Sequence, residues 1–169
     1  MATTQELDEA EGRRFLEALG WFVFMFSIIE QQVQNTLWHF TKVDPIIARC
    51  ILSGTRIDAA FRQLKRIAEA TEWPANRKHL LDHVTQRMGD ITRFRNDLLH
   101  YGISGESSDT AVVTNEKYAH VKSRIRTTNI SAPILDQKSS EMVAIMCLIG
   151  FIKGDIISLD DVLNKFKQP

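Results

Sequence analysis

Residues 18–29 read ALGWFVFMFSII, and this stretch decides the fold. Glu17 and Glu30 bracket only twelve uncharged residues, whereas a membrane-spanning helix needs about twenty. The segment is therefore expected to be buried in protein. Extending outward, Phe15, Leu19, Phe22, Phe26, Ile29, Val33 and Leu37 recur every three or four residues, the step of one face of an α-helix. Thr4, with Glu6 close behind it, supplies a start signal, and the pattern runs to Thr41. One long core helix follows. Between Ala18 and Ile29 this helix is apolar around much of its circumference, with Trp21 and Phe24 off the main stripe, so it calls for packing partners on more than one side. A homodimer is the simple way to supply them.

The same helical step recurs along the rest of the chain. Asp44-Pro45 is a cap followed by proline at the first helical position, opening a short helix to Leu52. Thr55 is set to cap the next, Arg56 to Glu72, which carries Ile57, Phe61, Leu64 and Ile67 and is broken by Trp73-Pro74. Leu80, Val84, Met88, Ile91, Phe94 and Leu98 mark a fourth helix ending near Tyr101-Gly102. SGESSDT, residues 104–110, reads as a loop. Short β-branched alternations in AVVT and VKSRIRTTNI predict a small hairpin excursion between residues 110 and 130. Ser131 and Pro133 open a last helix through Ile134, Met142, Ile145, Ile149, Ile152, Ile156, Leu159 and Leu163, which Gly150 and Gly154 weaken without necessarily ending it. The expected fold is all-α, a helical bundle of four to five helices with that hairpin, forming a single domain over residues 1–169.

Composition narrows the function. In 169 residues, 21 Lys plus Arg balance 21 Asp plus Glu, so no whole-protein field draws in nucleic acid or an anionic membrane, and any polyanion must be met locally. Cys50 and Cys147 lie far apart without a metal-binding spacing, and the first residues do not resemble a secretory signal, which implies a reducing, cytoplasmic setting. His79 and His83 have a helical metal-pair spacing, but HLLDH lacks the H-E-x-x-H glutamate and a third ligand. Phosphate-loop, dinucleotide-loop and G-x-S-x-G motifs are all missing from the sequence. No metal and no cofactor are expected.

The chemistry concentrates in residues 93–102, RFRNDLLHYG. An Arg followed five to seven residues later by His occurs three times, as Arg95–His100, Arg93–His100 and Arg77–His83, where chance predicts about one in a chain of this composition. Asn96 singles out the first, because the Arg-Asn form has a chance expectation of only about 0.04. Arg95, Asn96 and His100 thus form R-N-x-x-x-H at the end of an amphipathic helix. The segment resembles the R-x4-6-H motif of the HEPN (higher eukaryotes and prokaryotes nucleotide-binding) superfamily, as do the helical make-up, the long first helix bearing one acid, the excursion after the His and the long closing helix. The resemblance implies a metal-independent endoribonuclease of toxin or defence type, in which Arg95 holds the scissile phosphate and His100 assists attack by the ribose 2′-hydroxyl. It also implies a homodimer with two motifs flanking one cleft. The alternative is a non-catalytic helical dimer that binds a nucleotide, RNA, or a protein such as an antitoxin or a nucleotidyltransferase. A helical interaction module with no nucleic-acid role is a third reading.

Helical geometry adds its own expectations. At about 100° per residue, Arg95 falls near the centre of the apolar face while Arg93, Asn96, Asp97 and His100 project opposite. Glu30 lies in the apolar stripe of the first helix, so Arg95 and Glu30 are expected to meet, either as a plain buried ion pair or with Glu30 aiming the guanidinium at a phosphate. Asn96, four residues before His100, is set to position the imidazole or simply to be solvated. His100 is either a general acid-base group or a stabilising cation at a helix C-terminus. Glu30, Asp97 and Tyr101 are the expected supporting side chains. Arg93, Lys117, Lys122, Arg124 and Arg126 are a candidate basic rim or separate solvated charges.

Overall fold

The computed structural model describes residues 4–105 and 110–155. It contains five α-helices, α1 (Thr4–Thr41), α2 (Pro45–Leu52), α3 (Ile57–Ala70), α4 (Ala75–His100) and α5 (Ala132–Lys153), and three strands, β1 (Gly102–Gly105), β2 (Thr110–Thr114) and β3 (Thr127–Ser131). The fold is therefore all-α with a small antiparallel sheet. The chain divides into two compact units, one of Met1–Phe26 with Asp90–Glu141, the other of Ser27–Gly89 with Met142–Pro169.

In the first unit the core is built from Ala18, Phe22, Met25 and Phe26 of α1, Ile91 and Leu98 of α4, and Leu135 of α5, all buried. Phe22 meets Phe94 edge to face at 5.4 Å. The sheet runs in the order β1-β2-β3. Alternation in β2 buries Ala111 and Val113, and Ala111 stands opposite the buried Ile130 of β3. The excursion is thus larger than the hairpin expected. β1 pairs Gly102–Gly105 with Ala111–Thr114, taking in Ser104 and Gly105 of the segment read as a loop; residues 106–109 of that segment lie outside those described. Glycine and serine are poor strand formers, and β1 exists because pairing to the β-branched AVVT overrides that preference.

The 18–29 stretch is only partly buried in its own chain. Trp21 and Phe24 are 51% and 54% exposed, their rings 5.6 Å apart, and Leu16 is exposed beside them. No helix among the described residues is long and apolar enough to cross a membrane.

The second unit buries Ile29, Val33 and Leu37 of α1, Ala60, Phe61 and Leu64 of α3, Leu81, Val84 and Met88 of α4, and Met142, Ile145, Ile149 and Ile152 of α5. Leu81 takes the core position assigned to Leu80, which is half-buried. The Asp44 side chain caps α2 by accepting from the Ile46 N–H at 2.8 Å. Thr55 does not cap α3; its hydroxyl donates to the Leu52 carbonyl at 2.7 Å, leaving Arg56 at the cap position without a side-chain bond.

Two helix ends in this unit close in the same manner. At the end of α3, Glu72 takes a left-handed φ of 51°, the Trp73 N–H reaches the Ala68 carbonyl at 2.9 Å and the Glu72 N–H reaches Glu69 at 3.2 Å. At the end of α5, Gly154 has φ 90°, the Asp155 N–H reaches Gly150 at 3.0 Å and the Gly154 N–H reaches Phe151 at 3.2 Å. These paired bonds satisfy carbonyls that a helix end leaves orphaned. Gly154 therefore ends α5, and Ile156, Leu159 and Leu163 fall outside the described residues. The capping roles set for Thr4 and Glu6 lie outside the described side chains.

Candidate functional site

The R-N-x-x-x-H residues form the last two turns of α4 in the first unit. Arg95 is half-buried, and its guanidinium donates to the neighbouring Asn96 Oδ1 at 3.2 Å and lies 5.4 Å from the Phe26 ring centre. The expected burial in an apolar face is corrected here. A long arginine stem can cover an apolar surface while its head escapes, and the head takes the face of the Phe26 ring and the Asn96 amide oxygen. Glu30 belongs to the second unit, where it is half-buried, and the ion pairs that either unit makes within itself, among the described residues, include neither Glu30 nor Arg95.

Asn96 and His100 are both exposed. They sit four residues apart, hence on one side of α4, while Arg95 and His100 differ by about 140° around the helix axis. Asn96 uses its carbonyl on Arg95, so its side chain is a link from the guanidinium toward the histidine's side of the helix. His100 is the last residue of α4, where the helix dipole favours positive charge.

Asp97 does not stand free on the polar face. Its side chain is 15% exposed and accepts from Arg126 at 2.9 Å. The same Arg126 nitrogen donates to the Tyr101 hydroxyl at 3.1 Å, and the guanidinium lies 5.8 Å from the Tyr101 ring centre. This joins the end of α4 to the segment between β2 and β3. Arg93, by contrast, extends outward to Asp90 at 3.4 Å, with both side chains largely exposed.

Asn115 holds that connecting segment in place. It occupies the register position after Thr114↔Thr127, and its N–H still reaches the Arg126 carbonyl at 3.3 Å. The Arg126 N–H, however, goes to the Asn115 side-chain oxygen at 2.6 Å, while the Asn115 Nδ2 donates to the Arg124 carbonyl at 3.1 Å. Its main-chain carbonyl is thereby left to accept from the N–H groups of Tyr118 and Ala119 at 2.9 and 3.0 Å. The ladder ends and the chain turns at a buried asparagine that satisfies four partners. Sequence reading missed Asn115, although an asparagine directly after a β-branched run is a turn signal. It also missed Tyr118, which nothing in the local pattern marks.

Other chemistry-bearing residues do not assemble. His79 and His83 are both exposed, and among the described residues no three His, Cys, Asp or Glu side chains gather as they would around a metal ion. Cys50 and Cys147 are unpaired, and burial pushes the Cys147 thiol above its ordinary range, away from the reactive thiolate. The second unit carries a cleft of about 300 Å³ lined by Ile28, Gln31, Gln32, Asn35, Lys153 and Asp155, in which the only charged side chains are paired with each other at 2.9 Å. Compared with known proteins, the chain matches no family model, no curated protein and no solved structure.

Proposed function

We propose that this chain is an endoribonuclease of the HEPN type whose reaction needs no metal ion, with Arg95, Asn96 and His100 as its catalytic residues. The observation that carries this reading is how Arg95 spends its donors. Among the described residues its one hydrogen bond goes to Asn96 of the same motif, so a planar guanidinium with five N–H groups keeps most of them for a phosphate. His100 stands exposed within the next turn and a half, with an imidazole that can give or take a proton.

In the proposed step an imidazole takes the proton of the ribose 2′-hydroxyl, whose oxygen attacks the adjacent phosphorus. The bond from phosphorus to the 5′-oxygen breaks, and that oxygen receives a proton. The products are a 2′,3′-cyclic phosphate and a 5′-hydroxyl, with no oxidant or cofactor consumed. Arg95 opposes the charge that builds on the phosphoryl oxygens, and Asn96 keeps the guanidinium oriented. Asp97 and Tyr101 act as positioning residues through Arg126.

The angular separation of Arg95 and His100 on one helix favours two copies of the chain around one phosphate, each supplying a motif. The exposed Leu16, Trp21 and Phe24 offer apolar surface for that pairing. Wild-type protein incubated with mixed RNA in EDTA should leave cyclic-phosphate ends, and light scattering should report twice the chain mass. His100→Ala should lower the rate about 10²- to 10⁴-fold, and Arg95→Lys should also lose cleavage while its melting temperature holds. Wild-type protein that does not cleave, or His100→Ala that cleaves as wild type, ends the nuclease reading; RNA binding without cleavage would leave a non-catalytic helical dimer.

A further inference from the structure

The segment from Asn115 to Arg126 carries a net positive charge in a chain whose charges otherwise balance. It reads NEKYAHVKSRIR, with Lys117, Lys122, Arg124 and Arg126 set against the single carboxylate of Glu116. Arg126 is committed to Asp97 and Tyr101, whereas Lys117, Lys122 and Arg124 have no ion pair among the described residues. Within this cationic stretch Tyr118 is 63% exposed, its ring centre 6.0 Å from that of Tyr101 and inclined at 33°. An aromatic ring that exposed loses apolar contact with the core, so its position asks for another explanation.

The main chain that carries the ring is held in place. The Tyr118 N–H is bonded to Asn115, Asn115 is bonded to both Arg124 and Arg126, and Lys122–Arg124 forms a 3₁₀ turn closed from Ile125 to Lys122 at 3.2 Å. Tyr101 is itself fixed by Arg126 and directly follows His100 in sequence. A pre-positioned ring flanked in sequence by cations that have no ion pair among the described residues suits a polyanion that also carries flat faces, because each base stacked on an aromatic side chain adds binding that charge alone cannot supply.

We propose that Tyr118, backed by Tyr101, is a stacking platform for an unpaired base, and that Lys122 and Arg124 track the phosphates beside it. The substrate class is then single-stranded RNA, since bases in a duplex are stacked on each other and cannot lie on the ring. This inference rests on reading the end of α4 as the RNA site and adds how that site selects its substrate.

Binding of wild-type protein to a labelled 2′-O-methyl oligoribonucleotide, free or annealed to its complement, tests the platform without cleavage, because the blocked oxygen cannot attack. Tyr118→Ala should weaken single-strand binding about 5- to 100-fold, and Tyr118→Phe should stay within about threefold of wild type. The duplex should bind more weakly and ignore both changes. Lys122→Gln with Arg124→Gln should flatten the dependence of log affinity on log salt by about 1.4, two contacts at about 0.7 each. Melting curves of the exposed-site variants guard against unfolding. The platform is overturned if wild type does not bind the single strand, if Tyr118→Ala binds it unchanged, or if poly-glutamate, which has charge but no bases, competes as well as RNA. Cleavage of unmodified RNA is scored separately. Cleavage with unchanged binding by Tyr118→Ala removes the platform alone, and Tyr118-dependent binding without cleavage removes the nuclease alone.

Discussion

Arg77 and Arg95 lie on the same helix, both are half-buried, and each precedes a histidine at R-x4-6-H spacing. Their environments differ in kind. In the second unit the Arg77 guanidinium packs 4.2 Å from the Trp73 ring centre and 4.9 Å from that of Phe40, and its Nε and one terminal nitrogen both donate to the Ile152 carbonyl. The α5 end shows why. Gly150 and Phe151 have their carbonyls satisfied by Gly154 and Asp155, and Ile152 is satisfied by Arg77. Arg77 is a side-chain cap for a helix C-terminus, and burial lowers its pKa without threatening its charge. Arg95 has, among the described residues, one hydrogen bond to an adjacent side chain, and it lies over one aromatic ring. A shared motif spacing therefore says little; how many donors the fold has already consumed separates a structural arginine from a candidate catalytic one.

The largest expected effects come from exchanging the two tests. Arg77→Ala removes a charge-assisted bond to a helix-end carbonyl and two ring contacts, which together should cost about 3 kcal/mol in denaturant unfolding and roughly 6–12 °C in Tm. Arg77→Lys, lacking the planar fork, should recover less than half. Arg95→Ala should change stability by less than about 1 kcal/mol while cleavage disappears. The contrast breaks if Arg95→Ala unfolds the protein, or if Arg77→Ala abolishes cleavage at full stability.

Much of this was legible in the sequence because it is local. The end of α1 at Thr41, the Asp44-Pro45 entry to α2 and the break between α3 and α4 near Trp73-Pro74 follow from proline, a cap and periodicity within a few residues. What could not be read depends on partners distant along the chain. Arg77 differs from Arg95 because Ile152 and Phe40 meet it, and neither is signalled near position 77. β1 draws its strand character from β2, and Asn115 matters because position 126 lies opposite. The candidate site was legible as a motif, and its surroundings were not.

A smaller effect sharpens the account of the structural region. Trp73, against which Arg77 packs, is positioned by the helix stop in which Glu72 adopts a left-handed φ. A non-glycine residue pays about 1 kcal/mol for that conformation, and Gly154 in the matching position of α5 does not. Glu72→Gly should therefore stabilise the protein by up to about 1 kcal/mol in chemical denaturation, less the entropy that glycine adds to the unfolded chain, and leave cleavage unchanged. Destabilisation would mean that the Glu72 carboxylate makes a contribution the backbone geometry does not reveal.

The smallest expected effect concerns protons. His39, exposed but with its ring 4.8 Å from that of Phe40 between centres, has its pKa lowered below the usual 6.5 by partial desolvation and then by Lys42 and Lys153, with Arg77 adding to them and Asp155 opposing. The folded protein thus resists the imidazolium, and as pH falls through the ordinary histidine range the unfolded chain binds more protons than the folded one. Stability from this source is fully present above about pH 6.5 and is lost as pH falls below it. His39→Gln should flatten the pH dependence of Tm between neutral and mildly acidic conditions. Arg77→Ala, which removes one of the opposing cations, should flatten it slightly and in the same direction. His100→Ala should alter the pH profile of cleavage and leave this stability profile in place, because His39 belongs to the unit that Arg77 braces and His100 to the unit where Arg95 keeps its donors. If the stability slope instead follows His100, the separation of a structural arginine region from a chemical one is wrong.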